Sequence, residues 1–141
     1  MRKSLSLATI AMASLFILAG CNSGPSLVGK WDVSGGQMPG KVVQEFKGDG
    51  TTTTSIEADA MGQKITMKLT GTYKLDKDQL TMTGTDYTVE GVPPAVMQPM
   101  RAQLDKEFKK TETNKITWVS PDEVTLPTAA GPTVTMKRIK S

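Results

Sequence analysis

Apolar and polar positions alternate from Lys64 to Leu75, KITMKLTGTYKL. Ile65, Met67, Leu69, Tyr73 and Leu75 share one parity; Lys64, Thr66, Lys68, Thr70, Thr72 and Lys74 share the other. A period of two over so long a run predicts a strand with one buried and one wet face. Asp76-Lys77-Asp78-Gln79 supplies turn chemistry, and Leu80-Thr81-Met82-Thr83 resumes the alternation, so the pair reads as an antiparallel hairpin. Upstream, Leu27–Val33 predicts a first strand. Lys41–Lys47 predicts a second, with Val42, Gln44 and Phe46 on one parity. Thr51–Ala58 is β-branched and predicts a third. Gly48-Asp49-Gly50 is a tight turn, Gly35–Gly40 a loop, and Asp59–Gln63 the turn into the long strand. Gly84 marks a bend or bulge, and Asp86–Glu90 a sixth strand.

The period then changes. Pro93-Pro94 breaks the sheet, and Val96, Met97, Met100, Leu104 and Phe108 recur at helical spacing. The main helix is expected to begin at Pro99, in the first position, with Met100, Leu104 and Phe108 turned inward over the sheet. Lys115–Val119, Glu123–Leu126 and Thr133–Ile139 complete about nine strands, separated by Ser120-Pro121-Asp122 and Ala129–Pro132. The fold class is therefore all-β with one helix: a small antiparallel meander, the helix inserted before the last three strands. Closure into a barrel would remove the exposed edges such a sheet otherwise presents.

The N-terminus changes the picture. Met1-Arg2-Lys3 is basic, Leu5–Ala19 is an apolar run too short for an ordinary span, and Leu18-Ala19-Gly20-Cys21 follows. Residues 1–21 resemble the signal and lipobox of bacterial lipoproteins. The resemblance implies cleavage of residues 1–20, acyl chains on Cys21, and a membrane as partner through those chains. Asn22 resembles the outer-membrane sorting pattern, which in a Gram-negative cell would place the protein on the periplasmic face. Residues 21–26 are then a short polar tether, reaching at most about 20 Å, and residues 27–141 the folded domain. Removing Arg2 and Lys3 from 17 basic residues leaves 15 against 14 acidic ones. That balance gives no argument for nucleic acid as a partner.

Gly29-Lys30-Trp31 and Arg138 resemble the framework of lipocalins and other calycins, in which a Gly-x-Trp on the first strand lies beneath a basic residue from the last. Leu27–Trp31, Glu45–Gly50, Gly71–Leu75 and Lys137-Arg138-Ile139 carry this likeness to the small lipocalin-like domains of bacterial lipoproteins. It implies a lipocalin-like barrel closed at one end by Gly29, Trp31 and Arg138. Independently of any family, a guanidinium over an indole contributes about 0.5–2 kcal/mol.

Candidate chemistry is sparse. The chain has no histidine and one cysteine, and no serine stands in a Gly-x-Ser-x-Gly elbow. We assign no catalytic residue, metal ligand or cofactor. Thioethers are Cu(I) ligands, but the methionines read better as adaptable packing. The expected lining of a barrel interior is Phe46, Ile56, Met67, Leu69, Tyr73, Met82, Tyr87, Trp118 and Met136. A small apolar molecule bound there, or at the mouth, is the first functional expectation. The alternative is a protein-interaction module with a filled barrel, using the Gly35–Gly40 loop or the helix surface. The identity of a protein partner is not legible.

Overall fold

A computed structural model of the chain describes residues 25–38, 40–128 and 131–141. The segment expected as a signal, Cys21 and the expected tether as far as Gly24 lie outside them. Nine strands and one helix follow in the order β1 (Gly29–Gly35), β2 (Lys41–Phe46), β3 (Thr51–Ala60), β4 (Gln63–Asp76), β5 (Gln79–Glu90), α1 (Pro94–Phe108), β6 (Thr111–Lys115), β7 (Thr117–Ser120), β8 (Glu123–Leu126) and β9 (Val134–Arg138). They form one antiparallel sheet in the order β6-β5-β4-β3-β2-β1-β9-β8-β7. Its two edge strands are neighbours in sequence, with Ile116 alone between them. The chain thus steps from one edge of the sheet to the other in a single residue, which curls the sheet into a nearly closed barrel. Ile116 is buried, and its N–H donates to the Asp78 carbonyl at 2.7 Å.

Local chemistry sets the hairpins. At the β2–β3 turn the Asp49 carboxylate accepts from the Thr51 N–H at 2.9 Å and its hydroxyl at 2.6 Å. These bonds, the hydroxyl's first, hold the Asp49 carboxyl below its ordinary value. The β3–β4 connection is tighter than the sequence suggests. Ala60 pairs with Gln63, and the two residues between them, Met61 and Gly62, both take positive φ, as a two-residue hairpin turn of the I′ kind requires.

Three elements differ from expectation. The strand at Leu80–Thr83 and the one at Asp86–Glu90 are a single strand, β5, whose register slips opposite Thr70/Gly71. The bulge at Gly84–Thr85 flips parity, so Leu80 and Met82 below it and Tyr87 and Val89 above it share a face with Tyr73, Leu69 and Met67. The segment expected as one strand from Lys115 begins at Thr111 and divides at Ile116 into β6 and β7, so four strands follow the helix. The helix begins at Pro94 and carries Pro99 inside it. Pro94 satisfies the first-turn preference for proline. The carbonyl orphaned by the missing Pro99 N–H belongs to Ala95, which lies on an exposed turn where water can replace the bond.

Inward positions of β1, β2, β8 and β9 build the core. Leu27, Trp31, Val33, Val42, Phe46, Leu80, Ile116, Val124, Leu126, Val134 and Met136 are buried, with Ile56, Tyr73, Leu75, Met82 and Trp118 packed against them. The helix is set apart. None of its residues is buried, and it leans on β5 through Phe108 and Tyr87, whose ring centroids are 5.8 Å apart.

Candidate functional site

One end of the barrel is sealed. Trp31 is fully buried and donates its indole N–H to the Leu27 carbonyl at 2.7 Å. Trp118 meets it edge-on at 6.1 Å. The Arg138 guanidinium lies 4.2 Å from the Trp31 ring centroid. Its Nη1 donates to the Val28 carbonyl at 2.6 Å, its Nη2 to the Ser26 and Pro121 carbonyls, and its Nε to the Asp122 carboxylate at 3.0 Å. Register explains the meeting, because Trp31 pairs with Arg138 across β1 and β9. Gly29 must be glycine here: its φ is +132°, and a Cβ would stand 2.8 Å from Arg138 Nη1. Lys140, bonded to the second Asp122 oxygen at 3.1 Å, and then Arg138 hold the Asp122 carboxyl below its ordinary value.

Above this seal lies a cavity of about 150 Å³, bounded by β2, β3, β4, β5, the end of α1 and the start of β6. Two glycines on adjacent strands belong to its lining. Gly71 and Gly84 face each other across β4 and β5, so one layer of the wall carries no side chain on either strand. The missing Cβ at Gly84 also admits the backbone at Phe108, and the Gly84 N–H donates to the Lys110 carbonyl at 3.1 Å. The C-terminal end of the helix is thereby brought onto the wall.

The lining is mixed. Leu69, Met82 and Phe108 give apolar surface, while Gln44, Thr52 and Thr54 form a polar ladder. The Gln44 amide N–H donates to the Thr52 hydroxyl, which donates to the Glu45 carbonyl at 2.9 Å, and the Thr54 hydroxyl donates to the Gln44 carbonyl oxygen at 2.5 Å. Gln44 and Thr52 are buried, and every buried side-chain polar atom among the described residues has a partner. Even so, an amide offers two N–H groups and two lone pairs, and these bonds occupy one of each at Gln44. At the rim Lys110 sits between Glu112 at 2.8 Å and Glu107 at 3.5 Å. Its bond to Glu112 first, then the Glu107 charge, raises the Lys110 pKa.

The residues expected to line an interior separate into groups. Leu69 and Met82 border the cavity. Phe46 and Met136 are buried core, and Ile56, Tyr73 and Trp118 are packed on it. The Tyr73 ring meets Phe46 at 4.8 Å, and its hydroxyl donates to the Lys47 carbonyl at 2.7 Å. Met67 is half-buried between Ile56 and Val89 in register. Tyr87 borders a separate pocket of about 360 Å³ against α1 with Met97 and Arg101. Of the helix positions expected to turn inward, Phe108 reaches the cavity and Leu104 is half-buried, but Met100 is exposed. Gln44 was legible as an inward position of β2. The glycine pair was not, since it exists only once the register is known.

No protein-family model matches the chain, and no curated protein matches it. Solved structures do. A lipocalin-like protein from Bacteroides uniformis superposes with a TM-score of 0.53 at 17% identity, covering 80% of this chain and 98% of its own. An uncharacterized protein from Bacteroides eggerthii gives 0.50, also at 17% identity, covering 81% of this chain and 100% of its own. At such identity the likeness speaks for the fold, and the fold of this chain is a lipocalin-like barrel with one helix.

Proposed function

We propose that this protein is a non-catalytic binding protein of the bacterial cell envelope, held to a membrane by acyl chains on Cys21. Its barrel accepts a small molecule in the cavity between Gln44, Leu69, Met82 and Phe108. The observation that carries this reading is the cavity itself, lined by Gln44, Leu69, Met82 and Phe108 in a barrel whose other end is packed around Trp31. The pocket is open to solvent on one side, and its volume of about 150 Å³ suits one ring or a short chain of a ligand whose remainder stays in water. The polar ladder refines the expectation of a purely apolar ligand. The remaining donor and acceptor of Gln44 favour a molecule with a hydrogen-bonding group at one end and an apolar body against Leu69, Met82 and Phe108.

A non-catalytic role is supported by the surroundings. The carboxylates at the rim, Glu107 and Glu112, are both paired with Lys110. The second reading, a protein-interaction module, has one observation in its favour: Val96 and Met100 on α1 are exposed apolar residues.

The test is native mass spectrometry of the full protein purified from its own cell. A reproducible small-molecule adduct is expected on the wild type and its loss on Leu69→Trp, which fills the cavity, with Tm retained. An adduct that survives Leu69→Trp, or none on the wild type, defeats the cavity reading.

A further inference from the structure

The point where the chain enters the barrel has a consequence for which way the cavity faces. Pro25, Ser26 and Leu27 border one surface pocket together with Gly48 and Gly50 of the β2–β3 turn and with Tyr73, Lys74 and Leu75 at the end of β4. Leu27 is buried, and Arg138 binds the carbonyls of Ser26 and Val28. The entry point is therefore fixed to the sealed end. The turns at Lys77-Asp78 and Ser120–Asp122 lie at that same end, tied by the Asp78 carbonyl to Ile116 and by the Asp122 carbonyl to the Arg138 N–H. The β3–β4 tip at Met61-Gly62 stands at the other end of β4, a strand of 14 residues. That is roughly 45 Å along the strand.

Only Asn22, Ser23 and Gly24 separate Cys21 from Pro25. Four residue steps span at most about 14 Å fully extended. A leash that short, attached to one end of a body whose longest strand is about three times its length, does not let the body turn over on the membrane. The rim of the cavity lies up the wall. Glu112 pairs with Met82, three positions along β5 from Gln79, whose partner Lys115 adjoins the sealed end.

We infer that the end sealed by Trp31 and Arg138 faces the bilayer, while the cavity rim and α1 open to the aqueous compartment. The ligand is then a molecule taken from water, or handed over by a soluble carrier, and not one drawn straight from the host bilayer. This rests on the anchoring and cavity readings proposed above, and the experiment separates them.

Once Cys21 is acylated the protein has no free thiol, so a single introduced cysteine takes a fluorophore uniquely. Gly48→Cys places it at the sealed end, where an added Cβ meets open space, and Ala60→Cys places it at the exposed far tip. The full acylated chain is reconstituted in phosphatidylethanolamine–phosphatidylglycerol vesicles containing headgroup spin-labelled lipid. Strong quenching of the Gly48 label with background quenching of the Ala60 label is the expected pattern. Equal quenching at both, or stronger quenching at Ala60, overturns the orientation. Mature protein whose mass shows no acyl group on Cys21 overturns the anchor and the orientation with it. Because ligand is not part of the readout, an empty cavity in native mass spectrometry would leave this result standing and defeat only the binding reading.

Discussion

Arg138→Ala is the substitution whose effect is best defined by the geometry. The side chain makes hydrogen bonds to three backbone carbonyls and to the Asp122 carboxylate, and it covers the Trp31 ring at 4.2 Å. A hydrogen bond to a charged group contributes about 1.5–3 kcal/mol, and the cation–π contact about 0.5–2 kcal/mol. These are not additive, because one side chain makes them all and the Ser26 and Val28 carbonyls, on exposed residues, regain water. We therefore expect a loss of about 3 kcal/mol, with Arg138→Lys losing about half as much because an ammonium cannot reproduce the fork. For a domain of this size each 1 kcal/mol moves Tm by about 4 °C, so Arg138→Ala should lower Tm by about 12 °C. The assay is urea and thermal unfolding followed by the fluorescence of Trp31 and Trp118, which lie in contact beside the arginine. A loss below about 0.5 kcal/mol, the range of ordinary surface changes, would refute the argument that this residue ties the first strand to the last. So would equal stability of Arg138→Lys and wild type.

Other outcomes follow from the same geometry. Gly84→Ala drives a methyl into the Phe108 carbonyl, so calorimetry should show a loss of about 2 kcal/mol or more; Gly48→Ala, whose Cβ meets nothing within 4 Å, should stay within about 0.5 kcal/mol. Phe46→Ala should cost about 3–5 kcal/mol by urea unfolding, whereas Val119→Ala, 60% exposed, should cost far less. Asp122 supplies an acid limb. Its folded pKa is lowered by Lys140 and then Arg138, so its contribution is complete above the unfolded value of about 3.9 and is lost as pH falls through the folded value. The Tm gap between wild type and Asp122→Asn should thus close on acidification below that point, and a gap independent of pH would show the carboxylate is not the source.

Much of the fold was legible because the strands alternate. The β4–β5 hairpin, the inward parity of β2 and the turn at Gly48–Gly50 all follow from period and turn chemistry. The helix start was misplaced by five residues because Pro94 and Pro99 are both acceptable first-turn residues, and the sequence holds no capping side chain to choose between them. β6 escaped notice because TETNK, at the seam of the barrel, is polar at every position. The cavity was the least legible feature. An inward list drawn from apolar residues contains Leu69 and Met82 but passes over Gly71 and Gly84, which also belong to the lining and where the backbones of Thr83 and Phe108 come too close for a side chain. It also passes over Gln44, Thr52 and Thr54, whose burial is made tolerable by bonds between strands that only the register reveals.

The methionines offer the most direct test of small-molecule binding in the barrel. Met82 lines the cavity, Met100 is exposed on α1, and Met61 is fully exposed at the far tip. In methyl NMR of the full protein, titration with a small-molecule extract of its own cell envelope should shift the Met82 methyl while those of Met61 and Met100 stay in place. A Met82 signal that does not move while Met100 responds would contradict the account and point instead to the helix surface.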